Sequence, residues 1–219
     1  MHVGILGGTG PAGIGLGARL ASAGLEVVIG SRSKERAEQA CKELAAKWPD
    51  RELHLEAGDN MRAAAAEIVV VATPWDAAAV TVNSVSARLT GKIVISMANA
   101  IAKVGDEFEA LVPPRGSVAA HVQAAAPGAL VSAAFHHLPA KALSNLTKPI
   151  DADVLVCSDH PLAFEKTAEL VQLIPNLRPL NAGSLSNAAP IEAVTAVLLQ
   201  LNIRYKTRAA IRLTGIELP

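Results

Sequence analysis

The chain has 219 residues, 51% of them hydrophobic but only 3% aromatic, so the expected core is aliphatic and large enough for one long domain or one domain with a short appendage. Lys plus Arg equal Asp plus Glu at 20 each, which leaves no net field to attract nucleic acid or an anionic membrane. No apolar run approaches the ~18 residues of a membrane span, and Cys41 and Cys157 are far apart, with no CxxC spacing and no disulfide framework.

Residues 2–6 read as a strand that begins directly after Met1, without room for a basic and hydrophobic leader, so a cytoplasmic protein is expected. A helix over 11–23 follows. Further strands at 26–29, 53–55, 68–72 and 93–95 alternate with helices at 34–47, near Arg62 and at 76–89. This βαβ alternation of aliphatic runs predicts an α/β fold of Rossmann type, a doubly wound parallel sheet covered by helices on both faces.

Past residue 100 the pattern loosens. Pro113-Pro114-Arg115-Gly116 marks a turn before a helix, and the spacing then predicts strands at 130–135 and 154–157 and helices at 163–173 and 190–212. The last helix is apolar at Val194, Val197, Leu198 and Leu201, and if it runs to residue 212 it aligns Arg204, Arg208 and Arg212 on one face. The expected division is residues 1–128 as a nucleotide-binding domain and 129–219 as a small helical or α+β part. That second part would shape the other half of the site and carry a homodimer contact.

Gly8, Gly10 and Gly13 satisfy G-x-G-x-x-G between the first strand and the first helix. One glycine permits the tight turn, the next lets the backbone approach a pyrophosphate, and the third lets helix and strand touch. The helix start then offers free N–H groups and a positive dipole end to the phosphates. About 20 residues on, where a carboxylate would select the ribose hydroxyl of NAD, the chain reads Gly30-Ser31-Arg32-Ser33-Lys34-Glu35-Arg36. Arg32 suits a 2′-phosphate bidentately, with Ser31 and Arg36 beside it, so NADP is the expected dinucleotide. The alternative is a capping serine followed by a solvated helix face, which is the preferred reading for Lys34.

Together with Thr73-Pro74-Trp75, His136-His137-Leu138-Pro139-Ala140 and the run from Leu177 to Asn187, these motifs resemble the NADPH-dependent reductases of the deazaflavin coenzyme F420 over almost the whole chain. The resemblance implies reversible hydride transfer between NADP and F420. It implies NADP contacts at Thr9, Gly10, Pro11, Ala12, Ser31, Arg32 and Arg36, then at Thr73, Asn99 and Ala140 near the nicotinamide. The deazaflavin is expected across His136, Leu138 and Pro139, with small and aliphatic side chains as walls. Since both partners carry their own chemistry, the protein need only stack and dry them, and no catalytic acid, base or nucleophile is assigned. His136 is read either as a group that positions a ring carbonyl or buffers deazaflavin charge, or as a loop histidine satisfied by backbone.

Two other readings fit the same motifs: an imine or small-carbonyl reductase using NADPH, and a non-catalytic NADP-sensing module. Cys157, Asp159 and His160 are close in sequence, but alternate strand residues point oppositely and no second cluster completes a metal site, so no metal is assigned. Asp159 before His160-Pro161 is expected to cap the next helix. No G-x-S-x-G supports hydrolysis. The arginine stripe would receive the anionic tail of F420, or else is a solvated or dimer face.

Overall fold

Successive side chains of strand β1 (His2–Leu6) point to opposite faces, and both faces are apolar: Val3 and Ile5 enter one core, Leu6 the other. The same sorting recurs in β2 (Glu26–Ser31), β4 (Ile68–Val71) and β5 (Ile93–Ser96), each buried on both sides as a parallel strand between helix layers must be. The computed structural model describes residues 1–217. In it β3 (Leu55–Asp59), β8 (Leu130–Ala133), β9 (Ala152–Ser158) and β10 (Leu177–Asn181) complete one eight-stranded sheet, ordered β10-β9-β8-β5-β4-β1-β2-β3. Six strands from β3 to β8 are parallel; β9 pairs antiparallel to β8, and β10 runs parallel to β9. β6 (Ile101–Val104) and β7 (Glu107–Ala110) form a separate antiparallel hairpin.

One face is covered by α1 (Pro11–Ser22), α2 (Lys34–Lys47), α6 (Ala140–Leu143) and α7 (Pro161–Gln172), which contribute Leu16, Leu20, Ala37, Leu143 and Leu170 to its core. The other is covered by α3 (Asn60–Ala63), α4 (Trp75–Val85), α5 (Val118–Ala125) and α8 (Ala188–Arg204), through Ala63, Val82, Val122 and Ile191. The Rossmann-type doubly wound sheet is therefore present, and the C-terminal residues extend it by two antiparallel strands and the long helix α8. Glu192 of α8 caps α5, accepting from the Val118 N–H at 2.8 Å and the Ala119 N–H at 3.1 Å, while burial pushes its carboxyl up to about 7.

Several boundaries differ from expectation. The third strand lies at residues 55–59, not 53–55, because this sheet edge is largely polar and solvated and gives no apolar run. The strand expected to reach residue 135 stops at Ala133, and Phe135 then takes a left-handed φ of 63°. The hairpin and β10 were not anticipated; β10 holds Pro179, which an outermost strand tolerates. The last helix ends at Arg204 rather than 212, where Lys206 at φ 50° turns the chain without the usual glycine signal. Arg208 and Arg212 consequently lie in irregular chain, and the expected one-face stripe does not form. Asp159 caps no α7 donor: its Oδ1 accepts from the Leu185 N–H at 2.9 Å, and His160 occupies the N-cap position.

Candidate active site

The turn after β1 is shaped by space. Gly7 adopts φ 65°, and a Cβ there would lie 2.5 Å from Thr73 Cγ2, so the left-handed residue of the turn is Gly7, one ahead of the fingerprint. Its N–H donates to Asn60 Oδ1 at 3.1 Å, fixing the turn from α3. At Gly13 a Cβ would meet Gly8 Cα at 2.8 Å and Ala72 Cβ at 3.0 Å, so this glycine serves helix–strand contact as expected. Gly10 is different: a Cβ would meet nothing nearer than Gly7 O at 4.0 Å. Packing within the chain does not require a bare residue there, whereas a close-approaching pyrophosphate would. Gly10 is the N-cap of α1, with no side-chain cap and no acidic residue in the first turn, and Pro11 follows at the helix start. The free N–H groups and positive helix end remain available to an anion.

At the end of β2 Ser31 is buried, with its Oγ accepting from the Ser33 N–H at 3.3 Å; Ser33 in turn caps α2. Arg32 and Arg36 are exposed, and neither guanidinium has a protein acceptor among the described residues. The capping serine and the cation cluster thus coexist, with the capping role carried by Ser33.

Beyond the turn, at and after the C-terminal ends of β4 and β5 and in the segment after β8, buried polar atoms have no protein partner: Thr73 Oγ1, Ser96 Oγ, Asn99 Oδ1 and both ring nitrogens of His136. The Asn99 Nδ2 donates to the His136 carbonyl at 2.7 Å, which ties the loop after β5 to the loop after β8. A buried donor or acceptor left unpaired is expensive, roughly 1–3 kcal/mol each. Such atoms lie at the strand ends where α/β sheets bind ligands, so a polar ligand there could satisfy them. The sequence gives Ser96 no binding role, since one serine ending an apolar strand carries no distinguishing signal.

His136 is 4% exposed, and burial, then His137 beside it, lowers its pKa to about 3 against a weaker pull from the Ala134 backbone. Burial thus favours the neutral imidazole, which suits positioning a ring carbonyl better than carrying a positive charge. Neither ring nitrogen makes a full hydrogen bond within the chain, and the Ala134 backbone lies close enough only to pull weakly on the pKa. The expected kcat/KM profile has no inflection near pH 6.5 that substitution of His136 removes; pH-rate curves for wild type and His136→Phe check this. His137 is different: its Nε2 donates to the Asp153 carbonyl at 2.9 Å, and its ring meets that of His136 edge-on at 5.1 Å.

Leu138 is 6% exposed and packs into the same core as Phe135, Leu143 and Ile150, so it backs the loop. Pro139 and Ala140 are the half-exposed members of this run. Pro139 lines a cavity of about 200 Å³ together with Lys148, Asp151, Arg208 and Ala210. Arg212, by contrast, is engaged with Asp151 at 3.1 Å and Asp153 at 3.5 Å. Among the described residues no group of three His, Cys, Asp or Glu side chains is placed to hold a metal, and no helix is long and apolar enough to cross a membrane.

Comparison with known proteins bears on this arrangement. The profile described as NADP oxidoreductase, coenzyme F420-dependent, matches residues 2–100. The chain is 35% identical over 226 residues to the F420-dependent NADP reductase of Methanothermobacter thermautotrophicus, covering 99% of this chain and 96% of that protein. It is 36% identical over 224 residues to the F420-dependent NADP reductase of Methanocaldococcus jannaschii, covering 100% of both. A solved structure from Arthrobacter sp. FB24 matches with a TM-score of 0.81 at 23% identity, covering 97% of this chain and 98% of that one. Pyrroline carboxylate reductase of Plasmodium falciparum gives 0.57 at 12% identity, covering 94% of this chain and 66% of that one. Likeness at these last two identities is one of fold. Full-length identity of about 35% to two named reductases goes further: the chain belongs to the family of coenzyme F420-dependent NADP oxidoreductases.

Proposed function

We propose that this chain passes hydride reversibly between NADP(H), held along the glycine turn, and F420, received against residues 136–140. As a member of the family it is an oxidoreductase with NADP and coenzyme F420 as its cofactors. The imine-reductase and NADP-sensing readings are not favoured by these relatives. The observation that carries the site assignment is the set of buried, unpartnered polar atoms of Thr73, Ser96, Asn99 and His136 at the end of the sheet beyond a turn left open at Gly10.

When bound, reduced nicotinamide supplies the hydride and the deazaflavin accepts it. The chain's own residues bind and orient. Thr9, Gly10, Pro11 and Ala12 offer backbone and helix end to the pyrophosphate, and Ser31, Arg32 and Arg36 take the 2′-phosphate. Thr73 Oγ1 and Asn99 Oδ1 pair with the nicotinamide amide, while Ala140 limits its freedom. Neutral His136 hydrogen-bonds a deazaflavin polar atom, and Pro139 with Leu138 behind it keeps water out. We also place a homodimer contact on α8, where Val197 and Leu201 are 56% and 37% exposed, and assign the protein to the reducing cytoplasm, with no role for nucleic acid.

The test is to mix the pure protein with NADPH and oxidised F420 and follow the deazaflavin absorbance. Bleaching is expected, and with C4-deuterated NADPH the label should appear on the deazaflavin with one facial stereochemistry. Loss of the label to solvent in a single turnover refutes direct transfer, and absence of bleaching refutes the substrate. Arg32→Ala should raise the NADPH dissociation constant ~10–100-fold, the worth of one charge-assisted contact of roughly 1.5–3 kcal/mol, and leave NADH binding nearly unchanged. Equal losses for the two nucleotides, measured by titration, would remove Arg32 from the 2′-phosphate.

A further inference from the structure

Arg19 lies in the last turn of α1 and is 6% exposed. No carboxylate pairs with it among the described residues. Its guanidinium instead faces four main-chain carbonyls of one segment: Nε donates to Leu143 O at 3.1 Å, and the two hydrogens of Nη2 are shared among Ala142 O at 2.9 Å, Lys148 O at 2.7 Å and Asn145 O. One of these, Leu143 O, is a carbonyl that the end of the short helix α6 leaves free, while Ala142 O also accepts from the Asn145 N–H at 3.2 Å. Burial lowers the Arg19 pKa, but an arginine so placed keeps its charge, and the carbonyl dipoles are what stabilise it. Such a residue is anchored to a backbone path rather than to a partner side chain.

Gly15 lies one helical turn earlier on the same side of α1. A Cβ there would meet Leu143 Cβ at 2.9 Å and Ser144 N at 3.0 Å, so this glycine lets α1 and the 140–148 segment approach more closely than any side chain would permit. Gly15 and Arg19 are four residues apart and both address 142–148. The start of α1 is the open anion end at Gly10 and Pro11. At the other end of this contact, Pro139 and Ala140 lead into α6, and Asn145 and Lys148 line the cavity beside Pro139. One short, rigid helix therefore connects the turn assigned to the pyrophosphate with the loop assigned to the deazaflavin.

We infer that Arg19 is a positioning residue for hydride transfer: it holds the Pro139–Ala140 wall at a fixed distance from the dinucleotide turn, and Gly15 sets that distance. This inference rests on the functional reading above. Neither residue touches a ligand, so their effect falls on the reaction and not on NADPH binding. A misplacement of about 1 Å between reacting groups lowers turnover on the order of 10²-fold.

The experiment compares wild type, Arg19→Ala, Arg19→Lys and Gly15→Ala, in full-length protein. NADPH affinity is measured by titration, F420 reduction by steady-state kinetics, and hydride transfer by the isotope effect with C4-deuterated NADPH. Arg19→Ala and Gly15→Ala should bind NADPH within about 3-fold of wild type, with kcat lowered ~10–100-fold and a larger isotope effect, since the chemical step becomes limiting. Arg19→Lys should not restore turnover, because one ammonium cannot span four carbonyls. Added guanidinium ion should partly restore Arg19→Ala and leave wild type unaffected. If Arg19→Ala is insoluble, Gly15→Ala decides alone. Variants with wild-type kcat, or with NADPH affinity and kcat lost in parallel, overturn the positioning role while wild type still reduces F420. If wild type binds NADPH but does not bleach F420, the functional reading itself fails, and the inference with it.

Discussion

Gly10→Val should abolish NADPH binding while leaving the protein folded. The backbone at Gly10, φ −72° and ψ 161°, is one that any residue adopts, and its Cβ would meet no chain atom nearer than 4.0 Å. Destabilisation should stay at about 1 kcal/mol, the cost of an apolar residue at a helix N-cap. The isopropyl group occupies the space in front of the α1 start, and a pyrophosphate kept away from it loses hydrogen bonds of roughly 1.5–3 kcal/mol each. Two such bonds correspond to a ~10²–10⁴-fold rise in the dissociation constant. Gly13→Val is the contrasting control. Its Cβ would lie 2.8 Å from Gly8 Cα, so that variant should lose stability along with binding. Titration with NADPH and thermal melts of both variants separate these outcomes. A folded Gly10→Val protein that keeps wild-type affinity would show that the turn is only structural.

The turn was legible in sequence because its demands are local. Three glycines at fixed spacing between a strand and a helix have few other uses, and Ser31, Arg32 and Arg36 follow them within one βαβ unit. The central strands were legible for a related reason: β1, β2, β4 and β5 are buried on both faces, so each reads as an unbroken aliphatic run. Edges lack that signature. β3 and β10 each have an unpaired side, and the residues Glu56, Ala57, Gly58 and Arg178, Pro179 do not look like strand. The end of α8 was hidden because Lys206 supplies the left-handed turn that glycine usually announces.

The functional end of the sheet divides in the same manner. His136, Pro139 and Ala140 are assigned through family motifs, while the burial of Ser96 and the carbonyl contacts of Arg19 have no sequence signal. Arg19 in sequence is one cation in an amphipathic helix and reads as solvated; only the fold brings four carbonyls from residues 142–148 to it. The misreading of Arg204, Arg208 and Arg212 as one stripe has the complementary cause. Helical spacing was extended past the true helix end, and Arg212 turned out to face Asp151 and Asp153.

Arg178→Met should clearly destabilise the protein, because buried Asp153 loses two of its charge-assisted hydrogen bonds. Asp153 is fully buried on β9 and sits opposite Arg178 in the β10 register. Arg178 Nε donates to Asp153 Oδ1 at 2.7 Å and Nη2 to Oδ2 at 2.9 Å, and the Leu213 N–H adds a third bond at 2.7 Å. The same guanidinium donates to Leu213 O at 3.0 Å and Ile216 O at 3.2 Å, so it also fastens the C-terminal segment over β9. Arg212 at 3.5 Å is a partial substitute and limits the loss. The pH dependence gives a second readout. Burial alone raises the Asp153 carboxyl, but Arg178, the Leu213 N–H and Arg212 outweigh it and hold the pKa below the ordinary value. In wild type this group therefore contributes stability present above about pH 4 and lost as pH falls through its folded value. Without Arg178 burial dominates, the carboxyl rises, and protonation relieves the variant as pH falls. The stability gap between wild type and variant, read from urea unfolding, should accordingly narrow between pH 7 and pH 5. Asp153→Leu combined with Arg178→Met should recover most of the loss, because an apolar pair leaves no uncompensated charge. Asp153 also accepts the His137 hydrogen bond through its carbonyl, so the single variant should slow F420 reduction more than it weakens NADPH binding. A loss below about 1 kcal/mol, or a gap that widens toward pH 5, would show that Arg178 acts as a solvated surface charge and that the C-terminal segment is held by other contacts.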